Sequence, residues 1–290
     1  MRTLRLSALA LLALALTGET PAPAGSNERD LAARLRGPHV AAHRGGFGFP
    51  DSNTVARFEV ARGQGADIVE TDLRVSKDGV VFLFHNELLD RVTSCTGAIA
   101  SHSAAELSGC HLRGLAHGPD RFEAALRWSR GRVVLDAELK TGAAARPAID
   151  LVRRYGAYDW VYFQVGNGLR TYQLVRDYDA RAALEAGPRG PRGEQLLAEL
   201  LAKRDPHLLV IALHPDFLSK EILSAVQASG KLTSLNAWQL APEENGATCA
   251  HLFELGIDIA VTNAPALCVK QRDDARAGAS HSAPAAPASR

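Results

Sequence analysis

The sequence predicts an α/β protein whose parallel sheet closes into a single-domain (β/α)8 barrel. Three observations point there: short β-rich apolar runs recur along the chain, helix-like stretches separate them, and 290 residues with 46% apolar content suit one large core. The runs are HVAAHRG at 39–45, DIVETDL at 67–73, VVFLFH at 80–85, VVLDAEL at 133–139, VYFQV at 161–165, RAALEA at 181–186, HLLVIAL at 207–213, LTSLNAW at 232–238 and DIAVTN at 258–263. The helical spacers include 52–63, 193–203, 217–228 and 243–255.

A barrel of this kind needs eight strands, and nine runs are present. The surplus run is 80–85, because Lys77-Asp78-Gly79 reads as a tight turn that folds it back beside 67–73 without a crossover helix. An open, doubly wound sheet is the alternative, but no Gly-rich phosphate loop of the dinucleotide or P-loop type follows an early strand.

The ends of the chain read differently from its middle. Residues 1–25 place Arg2 and Arg5 before an apolar run from Leu6 to Leu16, then small residues and prolines, the pattern of a signal peptide. The expected protein is therefore secreted or periplasmic. The run is about half of the roughly 20 apolar residues that span a bilayer, and no later segment is longer, so no transmembrane segment is expected after cleavage. Residues 26–38 suggest a lead-in helix ending at Gly37-Pro38, the barrel domain is expected over 26–269, and residues 270–290, polar and rich in Ala, Pro and Ser, read as a disordered tail.

Four cysteines, Cys95, Cys110, Cys249 and Cys268, form an even set in a chain expected to leave the cytosol. Of the three possible pairings, short separations favour Cys95–Cys110 and Cys249–Cys268, and buried free thiols are the alternative. Thirty-three basic residues nearly cancel thirty-two acidic ones with no basic stripe, which argues against a nucleic-acid partner.

Side chains alternate across a strand, so Glu70 and Asp72 share one face of 67–73, and Asp136, Glu138 and Lys140 share one side of the 133–140 strand. At the C-terminal rim of a barrel Glu70, Asp72 and Glu138 would converge. Carboxylates so close need a proton or a cation between them, and an all-oxygen set suits Mg²⁺ or Ca²⁺ better than zinc. His43 and His85 each end a strand-like run and would open onto the same rim as acid and base, since imidazole titrates near neutrality. Arg44 and Lys140 are the cations expected to hold a phosphate oxygen. A Ser-His-Asp hydrolase is the competing catalytic scheme, but the sequence has no G-x-S-x-G elbow.

HRGGFGFPDSNT at 43–54, GADIVETDLRVSKDG at 65–79, FHNELLDRVTSCTG at 84–97 and DAELK at 136–140 together resemble the glycerophosphodiester phosphodiesterase family, with weaker similarity through residue 265. The resemblance implies a TIM barrel, a Ca²⁺ or Mg²⁺ ion on Glu70, Asp72 and Glu138, acid and base roles for His43 and His85, and phosphate contacts from Arg44 and Lys140. It implies cleavage of a small glycerophosphodiester or lysolipid substrate, with glycerophosphodiesters giving glycerol 3-phosphate and an alcohol. Alternatives on the same barrel are a phospholipase D-like or lyase-type enzyme acting on lysolipids or sphingolipids, and a binding protein impaired in catalysis. The sequence departs from the family pattern at Ser52, where a glutamate is expected unless Asp51 replaces it, at Asn86 and Asn263, where aspartates are expected, and at Thr233 in the family's Trp-Thr-Val-Asn motif.

Overall fold

The computed structural model describes residues 31–46, 48, 52–166, 169–241 and 246–281. The expected signal peptide lies outside the described residues. In chain order, a short helix α1 (Leu31–Arg34) precedes strand β1 (His39–Ala42), helix α2 (Val55–Gly63) and the paired strands β2 (Ile68–Val75) and β3 (Val81–Leu83). Helices α3 (Ala104–Ser108) and α4 (Phe122–Ser129) lead to β4 (Val134–Leu139). Helix and strand then alternate as α5 (Gly142–Tyr155), β5 (Val161–Gln164), α6 (Leu169–Tyr178), β6 (Ala183–Ala186), α7 (Gly193–Ala202), β7 (Leu208–Leu213), α8 (Lys220–Ala228), β8 (Leu232–Asn236), α9 (Gly246–Glu254), β9 (Ile259–Thr262) and α10 (Pro265–His281).

The strands run in the order β1-β9-β8-β7-β6-β5-β4-β2, all parallel, and β1 pairs again with β2 to close the barrel. The ninth strand is β3, which lies antiparallel to β2 with Leu83 opposite Leu73. Its turn closes as expected: the Gly79 amide donates to the Ser76 carbonyl at 3.0 Å, and Gly79 adopts φ 85°, a conformation that glycine reaches without steric cost.

Alternation divides the strand side chains between two environments. Val69, Leu73, Leu135, Ala137, Phe163 and Leu184 face outward and pack against helix residues such as Phe58, Leu126, Ile149 and Val175. Ala41, Ile68, Val134, Tyr162, Val210, Leu232 and Ile259 face inward and fill the N-terminal half of the barrel, with Leu31 and Leu35 of the lead-in segment against them. Burying each Ile, Val or Leu side chain among them stabilises the fold by roughly 1.5–3 kcal/mol. Apolar packing at that end leaves the C-terminal half of the interior to polar groups.

The tail differs from its expectation. Residues from 270 onward continue α10 as far as His281, because Arg272 is drawn down onto Asp67, its guanidinium donating to the carboxylate at 2.7 Å and to the Gly65 carbonyl at 2.6 Å, with Arg276 reaching the same carboxylate at 3.1 Å. Composition alone hides this partner, which lies about 200 residues away in sequence. Residues 282–290 lie outside the described residues. Both short-range disulfides are formed, Cys95–Cys110 stapling the segment after β3 and Cys249–Cys268 tying α9 to α10, each with a Cα separation of 5.3 Å. Among the described residues, no helix is long and apolar enough to cross a membrane.

Candidate active site

The site begins where β1 ends. His43, Arg44 and Gly45 form a single 3₁₀ turn in which Arg44 adopts φ 53°, a left-handed backbone that costs a residue with a Cβ about 1 kcal/mol or more. At Gly45, φ 83°, a Cβ would stand 2.9 Å from the side chains of both Arg57 and Phe58, so only glycine fits. The turn is held by Asn53: its amide nitrogen donates to the Arg44 carbonyl at 3.0 Å, and its side-chain amide donates to Asp72 Oδ2 at 2.7 Å. Asn53 Oδ1 accepts from the Thr71 hydroxyl and the Asp72 amide. Buried and fully engaged, Asn53 links the first rim turn to β2.

Registry assembles the acids. Glu70 lies beside Asp136, and Asp72 beside Glu138, across β2 and β4, so these four inward side chains form two stacked rows. Ligand oxygens of Glu70, Asp72 and Glu138 lie within 4.8 Å of one another, as the sequence predicts. Two cations stand among them. Arg44 donates its backbone amide to Glu70 at 2.9 Å and places Nε 3.0 Å from Asp72, while Lys140 Nζ lies 3.0 Å from Glu138 and 3.3 Å from Asp72. Burial pushes the Glu70 carboxyl well above the usual range, with Asp72 and Glu138 adding to the effect. At Asp72 burial acts in the same sense, but Arg44 and Lys140 outweigh it and hold the group ionised. Asp136, fully buried one layer down, is pushed well above the carboxylate range by burial and by Glu185 and Glu70, and neither of its oxygens has a well-formed hydrogen bond.

The histidines complete the rim. His43 Nδ1 lies 2.7 Å from the side-chain oxygen of Asn263 and so carries the proton, which leaves Nε2 unprotonated and 3.8 Å from Glu70. Trp238, just beyond β8, stacks on the His43 ring at a centroid distance of 4.4 Å. Burial, then the Arg44 charge, lowers the His43 pKa to about 4, so this imidazole is neutral at neutral pH. His85 Nδ1 lies 2.8 Å from Asn86 Oδ1 in the same sense. All seven residues singled out in the sequence therefore meet at one end of the barrel.

Residues 43–142 match the model of the glycerophosphoryl diester phosphodiesterase family. A glycerophosphodiester phosphodiesterase of Bacillus subtilis is 33% identical over 110 residues, which cover 37% of this chain and 36% of that protein. A putative glycerophosphodiester phosphodiesterase of the same organism is 23% identical over 245 residues, covering 80% of this chain and 97% of its own length. Over residues 43–142 the chain is similar to the glycerophosphodiester phosphodiesterase family. The barrel itself is similar to that of a family member from Agrobacterium tumefaciens, at TM-score 0.69 and 22% identity over 80% of this chain and 99% of that one. A phosphodiesterase of Oleispira antarctica, solved with sn-glycerol-3-phosphate, superposes at TM-score 0.68 and 19% identity over 83% of this chain and 99% of its own.

Set against the glycerophosphodiester phosphodiesterase pattern, two departures fall directly behind the histidines, since Asn86 and Asn263 each accept from an imidazole Nδ1 where the family pattern has an acid. Thr233 turns away from the rim to Asp258, its hydroxyl donating at 3.0 Å. Ser52 meets the Gly48 carbonyl through its backbone amide, and Asp51 lies outside the described residues. The structure adds residues that the sequence did not single out. Glu185, wholly buried on β6, accepts from Gln164 at 2.7 Å and from Ser234 at 3.1 Å, and burial raises its pKa to about 7. The inward parity of the 181–186 run could have found it. Beside Glu138, a cavity of about 100 Å³ is lined by Gln164, Gly166, Gly187, Arg189 and Ala212. A larger one, about 460 Å³, is lined by residues between 90 and 115 alone and includes no rim acid or rim histidine.

Proposed function

We propose that this protein is a divalent-cation-dependent phosphodiesterase that cleaves glycerophosphodiesters to glycerol 3-phosphate and an alcohol outside the cytosol. The observation that carries this reading is the convergence of three carboxylates, two histidines and two cationic side chains on one barrel rim. The donor set fits Ca²⁺ or Mg²⁺. It is all oxygen, its three carboxylates face one another, and Asp72 Oδ1, buried, meets only the Lys140 ammonium at 3.3 Å. Glu70, Asp72 and Glu138 would hold the ion, which when bound supplies a Lewis acid for a phosphoryl oxygen.

The chain's own groups do the rest. Arg44 and Lys140 present donors to the phosphate oxygens and disperse the charge that builds on them. Neutral His43, its Nδ1–H committed to Asn263, offers Nε2 to the proton of the attacker, which is water in direct hydrolysis or the glycerol 2-hydroxyl where a cyclic phosphate forms first and water then opens it. His85 returns a proton to the departing alkoxide. Trp238 over His43 limits the ring's motion and its access to water. Export is supported by the N-terminal apolar run and the two disulfide pairs.

Incubation with glycerophosphocholine, glycerophosphoglycerol and a lysolipid, with Ca²⁺ and Mg²⁺ separately, tests this. Phosphorus NMR should show glycerol 3-phosphate forming from the soluble diesters. Turnover of the lysolipid alone would replace the proposal with a lipid-directed activity.

A further inference from the structure

The two disulfides lie in different surroundings. Cys249 and Cys268 are fully buried and pack with Val40 where α9 and α10 meet β1. Cys95–Cys110 is shielded on one side only: Cys110 is 1% exposed, whereas Cys95 is half-buried and lines the cavity of about 460 Å³ together with Thr93, Ser94, His111 and Arg113. That volume falls in the range of small-molecule sites, about 300–1,000 Å³. Arg113 donates to the Asp90 carbonyl at 2.7 Å, which holds its guanidinium at the cavity, and it forms no salt bridge with a described residue.

The same disulfide fastens the segment that carries His85. Between β3 and α4 a small apolar core gathers Phe84, Leu89, Ile99, Leu107 and Cys110, with Cys95 packed against it. The Leu89 amide donates to the Gly97 carbonyl and the Ile99 amide to the Glu87 carbonyl, so residues 87–99 double back, and the disulfide ties this loop to the end of α3. His85 follows Phe84 directly, and its carbonyl accepts from Arg74 at 2.7 Å. Loosening this core therefore reaches His85 first, while Arg44 and Lys140 stand just beyond β1 and β4, outside it.

We propose that Cys95–Cys110 is a thiol-exchange site that makes the alignment of His85 conditional on an oxidising environment. A low-molecular-weight thiolate enters the cavity and attacks Cys95 Sγ; the S–S bond breaks, Cys110 leaves as a thiolate, and a mixed disulfide remains on Cys95. A second thiolate attacks the small-molecule sulfur, releasing Cys95 and the oxidised thiol, so two electrons pass to the protein and both cysteines take protons from water. The freed Cys110 has an acceptor at hand, since its Sγ lies 3.3 Å from the Glu106 carbonyl oxygen. The Arg113 charge favours entry of an anionic thiol. The chain is then weakly active while thiols keep it reduced and fully active once export lets the pair oxidise. The inference rests on the phosphodiesterase reading above, with His85 as the acid for the leaving group.

Wild-type protein incubated with glutathione, alkylated and mapped by mass spectrometry tests the exchange. Cys95 and Cys110 should be labelled about 10-fold or more faster than Cys249 and Cys268. In the same samples kcat for glycerophosphoglycerol should fall about 10-fold with KM unchanged, a part of what a general acid supplies, and reoxidation should restore it. Bis(p-nitrophenyl) phosphate, whose leaving group needs no proton, should lose about 2-fold or less. Cys95→Ala combined with Cys110→Ala should show the reduced protein's kcat without thiol and no further response to it; should that variant fold poorly, the labelled wild type decides. Arg113→Ala should keep the basal activity and slow reduction by glutathione about 3-fold relative to 2-mercaptoethanol. Equal labelling of the two pairs, an unchanged kcat after reduction of Cys95–Cys110, or equal losses on both substrates would overturn the inference while leaving the phosphodiesterase reading intact. An oxidised wild-type protein that cleaves no glycerophosphodiester overturns both.

Discussion

At the scale of single residues, His43 shows how position creates chemistry. The ring is half-buried beside Arg44, packed by Trp238 and tied at Nδ1 to Asn263, and the outcome is a neutral imidazole whose Nε2 carries no proton. Replacing His43 or His85 by Ala should lower kcat by about 10²-fold or more with the circular dichroism spectrum unchanged, the usual contribution of a general acid or base. A variant with normal turnover would show its histidine to be structural. The pH dependence has a definite sign. A pKa lowered from 6.5 to about 4 keeps His43 in its neutral, proton-accepting form as pH falls through 6.5, and the base is lost only near pH 4. The acid limb of kcat/KM should accordingly fall near pH 4, and a limb centred on 6.5 would contradict the assignment of His43 as base.

At the scale of elements, the legible features were those that repeat. Alternation in DIVETDL and VVLDAEL carried Glu70, Asp72 and Glu138 to one face, and Lys77-Asp78-Gly79 separated β3 from the barrel strands. Other features needed a distant partner and were invisible from composition. Arg272 reads as part of a polar tail until Asp67 is placed beneath it, Asn53 is one residue of the 52–63 helical spacer until it meets Asp72, and Glu185 is one acid in an alanine-rich run until Gln164 and Ser234 surround it. The β6 loop offers a test at this scale. Because the Gly187 backbone packs directly on the Ala212 carbonyl, Gly187→Ala should destabilise the fold by about 2 kcal/mol or more, as overpacking against unyielding backbone does. Urea denaturation measures this, and an unchanged midpoint would show that β6 and β7 separate easily.

At the scale of the whole molecule, the barrel solves an electrostatic problem by dividing its interior. Apolar side chains fill the N-terminal half, and Glu70, Asp72, Asp136, Glu138 and Glu185 crowd the other, with Arg44 and Lys140 as their near cations. Concentrating like charge in a low-dielectric interior is costly without a counter-ion, so the arrangement makes sense if a divalent cation completes it. The most direct test is release of glycerol 3-phosphate from a glycerophosphodiester by protein stripped with EDTA and then titrated with Ca²⁺ or Mg²⁺, wild type beside Glu138→Gln. Stripping should abolish turnover, adding the cation should restore it, and the Glu138→Gln variant should need about 10-fold or more cation to recover. Full turnover in excess EDTA, with no metal found by elemental analysis, would contradict a cation-dependent reaction.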